Sequence, residues 1–249
     1  MSTTQHTDRD DRAGHVKQYL LAGQVAAPAG PVDTKMMYVM HHAFRRDLAL
    51  FAEAAAATPV EDRDTWRALH TRWGIFSGSL HHHHAGEDAG LWPLLLERAG
   101  AGEQETLTAM EAEHALIDPL LAACAAGMAA MAGADGRVPD ATVATRLHAG
   151  LVATRECLAQ HLAHEETEAM AMVQAHLTTE EWEEMAKEHF GKGQTLRQLA
   201  AVIPWTLDRL PADVTAALFA DAPAVMKLLW RATRGRFERL DARTRRHLA

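Results

Sequence analysis

The chain has 249 residues, 48% hydrophobic and 23% charged, an ordinary composition for one large globular domain or a domain plus an appendage. Its formal net charge of −8 argues against general binding to nucleic acid or to an anionic membrane. Aromatic residues make up only 6%, Ala and Leu dominate, and β-branched runs are scarce, so the chain reads as all-α.

Residues 1–33 read as an N-terminal segment. Met1 to Asp11 is polar and lacks a basic start followed by an apolar core, so no signal peptide is expected. Gly14 to Ala26 fits a short helix, which Pro28-Ala29-Gly30-Pro31 breaks. Asp33 or Thr34 is placed to cap a first long helix, Thr34 to Ala57, with Met36, Met37, Met40, Phe44, Leu48 and Phe51 at helical steps. A second helix starts near Glu61 and carries Trp66, Leu69, Trp73, Phe76 and Leu80 into a histidine run. Pro93 then predicts a kink or restart. Ala99 to Gly102 reads as a loop, and a third helix spans about Glu103 to Met131. After a turn-rich break at Gly133 to Pro139, a fourth runs from Asp140 to His176. Four amphipathic helices with short connections predict an antiparallel bundle over residues 34–178.

Residues 179–249 read as a helical appendage of shorter helices, opened by a cap at Thr178-Thr179-Glu180-Glu181 and punctuated by Pro204, Pro211 and Pro223. Trp182, Trp205 and Trp230 suggest that it packs on the bundle. Arg231, Arg234, Arg236, Arg239, Arg243, Arg245 and Arg246 read as a solvated last helix, or as a docking surface for an acidic protein partner. The uncharged run between Asp118 and Asp135 is too short and too weakly apolar for a membrane span, which needs about 20 residues. Cys124 and Cys157 sit in apolar helical stretches outside any CxxC pair, as buried reduced thiols of a cytoplasmic protein would. Gly191-Lys192-Gly193 follows a helix, not a strand, and is no nucleotide fingerprint.

Two segments share one chemical pattern. His83-His84-Ala85-Gly86-Glu87-Asp88 and His161-Leu162-Ala163-His164-Glu165-Glu166 each place a His four residues before a Glu, followed by a second acid. Positions i and i+4 share a helix face, so each segment offers an imidazole and a carboxylate to one point. His41 and His114 lie in apolar stripes of the first and third helices. Six donors converging in a core would be costly without a metal to balance them. His41, His83, Glu87, His114, His161 and Glu165 exceed the needs of one tetrahedral zinc and suit two ions, with Glu87 and Glu165 as bridges. Asp88, Glu166, Glu113 and Asp47 are the nearest acids to orient these histidines. Iron, manganese and zinc all suit such donors.

His41-His42-Ala43-Phe44-Arg45-Arg46-Asp47-Leu48, His81 to Asp88 with Leu91-Trp92-Pro93, Glu113-His114 and His161 to Glu166 resemble the hemerythrin-like, HHE cation-binding proteins. The resemblance implies an up-down four-helix bundle, here with additional C-terminal helices. It also implies two iron ions in an oxo- or hydroxo-bridged centre held by the six residues above. Members of that family bind dioxygen, sense oxygen or iron, respond to nitric oxide or turn over peroxide, and a few are counted as oxidative enzymes. One departure stands out. The family's second helix-three His falls at Met110, and a thioether is a poor ligand for ferric iron. That leaves an open position, or one filled by His84, Glu113 or Tyr38, and it favours peroxide or oxygen chemistry over simple oxygen carriage. The competing readings are an oxygenase or oxidase with a cavity lined by Met36, Met40, Met110 and Trp73, and a non-enzymatic oxygen or iron sensor.

Overall fold

Met37, Phe44, Leu48 and Phe51 form the buried face of α1, Lys35–Ala57, in a computed structural model that describes residues 14–248. Asp62 caps α2, Arg63–Gly86, by accepting the Thr65 N–H at 3.1 Å. The expected break near Pro93 begins earlier. A turn of π pitch, π1 (Glu87–Leu91), precedes the short α3 (Trp92–Leu96), and Pro93 sits in the first turn of α3, where its missing N–H costs little. The α4 helix, Ala101–Ala132, starts inside the expected loop and ends at Gly133 in the left-handed conformation (φ 67°). Asp140 caps α5, Ala141–His164, through the N–H groups of Thr142 and Val143. A second π turn, π2 (Glu165–Ala169), then leads into α6 (Met170–His176).

The four long helices pack as a bundle, with α4 between α2 and α5, and α1 against both α2 and α5. Two apolar clusters fill it. One holds Phe44, Phe51, Trp66, Trp73, Phe76 and Leu158, and the other Tyr38, Leu91, Trp92, Met110 and Met170. Each fully buried residue of this size contributes about 1.5–3 kcal/mol. Every bundle strand passes from one cluster to the other through a polar layer: Tyr38–His41–Phe44, Leu80–His83–Leu91, Met110–His114–Ile117 and Leu158–His161–Ala169. By length and composition α4 is apolar enough to cross a membrane, yet it is packed between two helices and turns His114 into the core. Cys124 is buried and Cys157 half-buried, and both are free thiols.

The expected helix over Gly14–Ala26 is absent. This stretch is irregular, with a turn in which the Gln24 N–H returns to Leu21 O at 3.1 Å, and Val16 pairs with Gly30 in an isolated antiparallel bridge. Its polar groups find partners elsewhere. The buried Gln18 side chain donates to Val32 O at 2.7 Å, and Gln24 donates to Tyr38 O at 2.6 Å. Residues 1–13 of the expected N-terminal segment lie outside the described residues.

Thr178 and Glu181 form the anticipated capping box at α7, Thr179–His189. The helices α8 (Leu196–Thr206), α9 (Ala212–Asp221) and α10 (Ala224–Thr244) follow. At 21 residues α10 is far longer than the short pieces expected, because Pro223 stands at its N-cap and nothing interrupts it afterwards. It packs on α2 and α8, while α8 also reaches α1. Arg72 of α2, wholly buried, holds this assembly together. Its Nε and Nη2 donate to Asp47 at 2.7 Å each, Nη1 to Asp241 at 2.5 Å, and Nη2 to Asp208 at 3.1 Å. Trp205 Nε1 adds a donor to Asp47 at 2.8 Å. Burial alone would raise the Asp47 pKa, but the Arg46 and Arg72 guanidiniums hold it down at about 2.

Candidate metal centre

All six predicted donors arrive in the same layer, each at most 4% exposed. One donor atom each from His41, His83, Glu87 and Glu165 lies within 4.8 Å of the others, and the same holds for His84, Glu87, His114 and His161. Glu87 is common to both groups. Within the first, His41 Nε2 and His83 Nε2 stand 3.2 Å apart, His83 Nε2 is 3.1 Å from Glu87, and His41 Nε2 is 3.1 Å from Glu165. Within the second, His114 Nε2 and His161 Nε2 are 3.2 Å apart, and Glu87 Oε2 is 3.5 Å from His114. Glu165, expected to bridge as well, groups with His41 and His83; its Oε2 is 4.0 Å from His161 Nε2.

The outward nitrogens explain why the inward ones converge. His41 Nδ1 is 3.0 Å from Glu166, His114 Nδ1 2.8 Å from Asp88, and His161 Nδ1 2.8 Å from Glu113. A carboxylate accepts only, so each Nδ1 carries the proton and each Nε2 turns a lone pair inward. Glu166 is itself fixed by Arg45 at 2.5 and 3.2 Å and by the Val25 N–H at 3.0 Å. Glu113 also takes His164 Nδ1 at 2.9 Å. Three of the four acids expected to orient histidines do so. Asp47 does not, because Arg72, Arg46 and Trp205 absorb it on the side facing the C-terminal helices.

The second acid of each repeat reaches a neighbouring helix where the backbone widens. Both π turns open at the Glu of the His-x3-Glu pattern, with Trp92 N–H returning to Glu87 O and Met170 N–H to Glu165 O. Turns of this pitch are frequent at functional sites. No sequence signal marked them.

His84 is the residue that the six-donor set left out. It is 5% exposed, stacks on His114 at 3.9 Å between ring centroids, and leaves Nε2 buried without a hydrogen-bond partner. Its signal was present: His84 and His83 precede Glu87 by three and four residues, the two spacings that share a helix face. Of the other two fillers for the Met110 gap, Glu113 is occupied by His161 and His164. Tyr38 is wholly buried with its hydroxyl unpaired, and burial together with Glu166 and Glu165 pushes its pKa far up. Met110 lies in the apolar cluster beside it.

The donors fit cations. Both oxygens of Glu87 and of Glu165 are buried with no hydrogen-bond partner, which is costly for carboxylates in a core. Burial and the neighbouring Glu165 push Glu87 well above the carboxylate range. Burial and then the neighbouring imidazoles drive His83 and His84 down. Burial lowers His41 too, but Glu165 and Glu166 outweigh it and raise its pKa to about 9. A cation held between these groups would relieve the carboxylates and the imidazoles together.

The layer is closed by aromatic rings. Phe44 and Phe190 lie 5.2 and 6.0 Å from the His83 ring. Phe190 and His189 end α7 and rest where Gly86 and Gly90 have no side chain: a Cβ at either glycine would come within 2.5 Å of those rings. His82 Nε2 meets Phe190 O at 2.9 Å on the outside of the same seam. Met36 is 52% exposed, and Trp73 and Met110 lie in different clusters, so these residues do not line a common substrate cavity with Met40. Part of the arginine-rich tail is spent internally: Arg246 and His247 pair with Asp62, and Arg245 with Asp241.

No curated protein and no solved structure matches the chain significantly. The family model described as the hemerythrin HHE cation binding domain matches residues 32–173, which run from the start of the bundle through π2 and contain every donor named above. That match spans more than half of the chain, and the chain belongs to the hemerythrin HHE cation-binding family.

Proposed function

We propose that this is a non-haem di-iron protein that binds and reacts with dioxygen, peroxide or nitric oxide. The observation that carries this reading is the pair of four-donor groups sharing Glu87. His41, His83 and Glu165 would hold one ion, His84, His114 and His161 the other, and Glu87 both. A bridged iron pair supplies exchangeable coordination positions and two one-electron couples for such small ligands.

The chain's own residues set the terms. Glu166, Asp88 and Glu113 keep protons on the outward nitrogens and so keep the inward lone pairs free. Five imidazoles against two carboxylates leave the centre less negative than a carboxylate-rich site, which works against the high oxidation states needed to attack C–H bonds. Tyr38 keeps its phenolic proton and offers a buried O–H with no acceptor of its own. Phe44 and Phe190 exclude water from the His83 side.

The test is metal content and the optical spectrum of freshly purified or iron-reconstituted protein, before and after azide or hydrogen peroxide. Two irons per chain with near-ultraviolet charge-transfer bands that respond to azide or peroxide are expected. Zinc alone, or no metal after reconstitution, would overturn the reading.

A further inference from the structure

Away from the candidate metal layer, α9 and the first half of α10 flank an open groove of about 510 Å³. That lies within the range of about 300–1,000 Å³ common to small-molecule sites. Ala212, Ala216 and Ala220 stand one turn apart and give α9 a smooth apolar wall. Phe219 of α9 meets the Trp230 ring of α10 at 4.8 Å between centroids, and Arg234 lies over the Trp230 ring at 4.8 Å.

The charge on this groove has one sign. Lys227 and Arg231, one turn apart on α10, line it, and among the described residues no acidic side chain does. Among the described residues neither cation has an ion-pair partner, whereas Arg45, Arg72, Arg98, Arg245 and Arg246 are all engaged by carboxylates. The complement of such a slot is a molecule with a flexible apolar body and one anionic end. Arg231 presents the planar fork that pairs with a carboxylate, Lys227 adds a point charge, and the alanine wall accepts methylenes.

We propose that the groove between α9 and α10 binds a single-chain alkyl carboxylate, with its head on Lys227 and Arg231 and its chain between the alanine wall and Trp230. Burial of methylenes makes the affinity depend on chain length, by about fourfold for each methylene.

Calorimetric titration of the full chain with sodium dodecanoate, below its micelle concentration, tests this. Saturable one-to-one binding is expected, about fifteenfold tighter than decanoate. Dodecylammonium and dodecyl maltoside should bind at least tenfold more weakly. Lys227→Gln with Arg231→Gln should weaken dodecanoate binding at least tenfold, and Ala216→Trp should abolish it by filling the slot. Both variants should keep the metal content of the wild type. Should Ala216→Trp change the far-ultraviolet circular dichroism, the double surface variant decides. Absence of saturable binding, equal binding of the neutral surfactant, or wild-type affinity in the decisive variant would overturn the proposal. So would an acidic amphipathic peptide that occupies the groove while dodecanoate does not, since the groove would then belong to a protein partner.

Discussion

Nitrogen atoms decide what this layer can do. Each of His41, His114 and His161 spends Nδ1 on a carboxylate, and each therefore aims Nε2 at its neighbours. His84 takes part without such an orienting acid: its ring is held by stacking on His114, and its Nε2 is buried and unpaired. If His84 completes the second four-donor group, His84→Ala lowers the iron content from two towards one per chain, while His82→Ala, on the outside of the helix, leaves it at two; atomic absorption on the two variants distinguishes them. Glu113 acts one step further out, fixing both His161 and His164. Losing an orienting carboxylate of this kind typically costs about 10–100-fold in metal affinity. Glu113→Gln is accordingly expected to yield iron to a competing chelator at a concentration lower by about that factor, with the circular dichroism unchanged. Retention of wild-type affinity would show that the His161 orientation does not depend on it.

Helices carry the donors, and the helices were largely legible. The stripes of Met37, Phe44, Leu48 and Phe51, the caps at Asp140 and Thr178, and the turn at Gly133 all lie where periodicity and capping chemistry put them. The doubled His-x3-Glu gave four of the seven candidate donors, His83, Glu87, His161 and Glu165, because i and i+4 geometry is local, and the apolar stripes pointed to His41 and His114. What sequence could not reveal was non-local. Gly14–Ala26 has residues able to form a helix, but its polar groups are committed to α1, Gly30, Val32 and Glu166. The π turns arise from hydrogen-bond pitch, which leaves no compositional mark, and Pro93 indicated only that a break would fall nearby. Asp47 shares α1 with His41 and reads as one more orienting acid, but beyond the adjacent Arg46 its partners come from α2 and α8. The α7 end is another tertiary feature, with Phe190 and His189 seated on Gly86 and Gly90 against the His83 side. Phe190→Ala should retain two irons yet bind azide faster in stopped-flow absorbance, because the ring no longer covers that side. An unchanged rate would locate ligand entry elsewhere.

A buried cation ties part of the C-terminal helices to the bundle. Arg72 draws α1, the turn that ends α8, and α10 onto α2 through Asp47, Asp208 and Asp241, so α8 and α10 are built into the same core that supports the candidate metal layer. Breaking a buried pair by removing one charge typically costs about 3–5 kcal/mol. Asp47→Asn should show a loss of that order in urea unfolding. Its pH dependence is also specified: the folded-state pKa of Asp47 lies below the usual 3.8, at about 2. The pair's contribution is therefore fully present above pH 3.8 and lost as pH falls through the folded value, with a difference of about 2 kcal/mol. Wild-type stability should decline more steeply than that of Asp47→Asn across this window, and parallel declines would exclude Asp47 as the titrating group. Two ions sharing Glu87 are the core of the proposed centre, and anomalous diffraction at the iron edge from crystals of iron-loaded protein would locate them. Two peaks are expected, one among His41, His83 and Glu165 and one among His84, His114 and His161, both in contact with Glu87. A single peak, or a pair in which Glu87 touches only one ion, would contradict that centre.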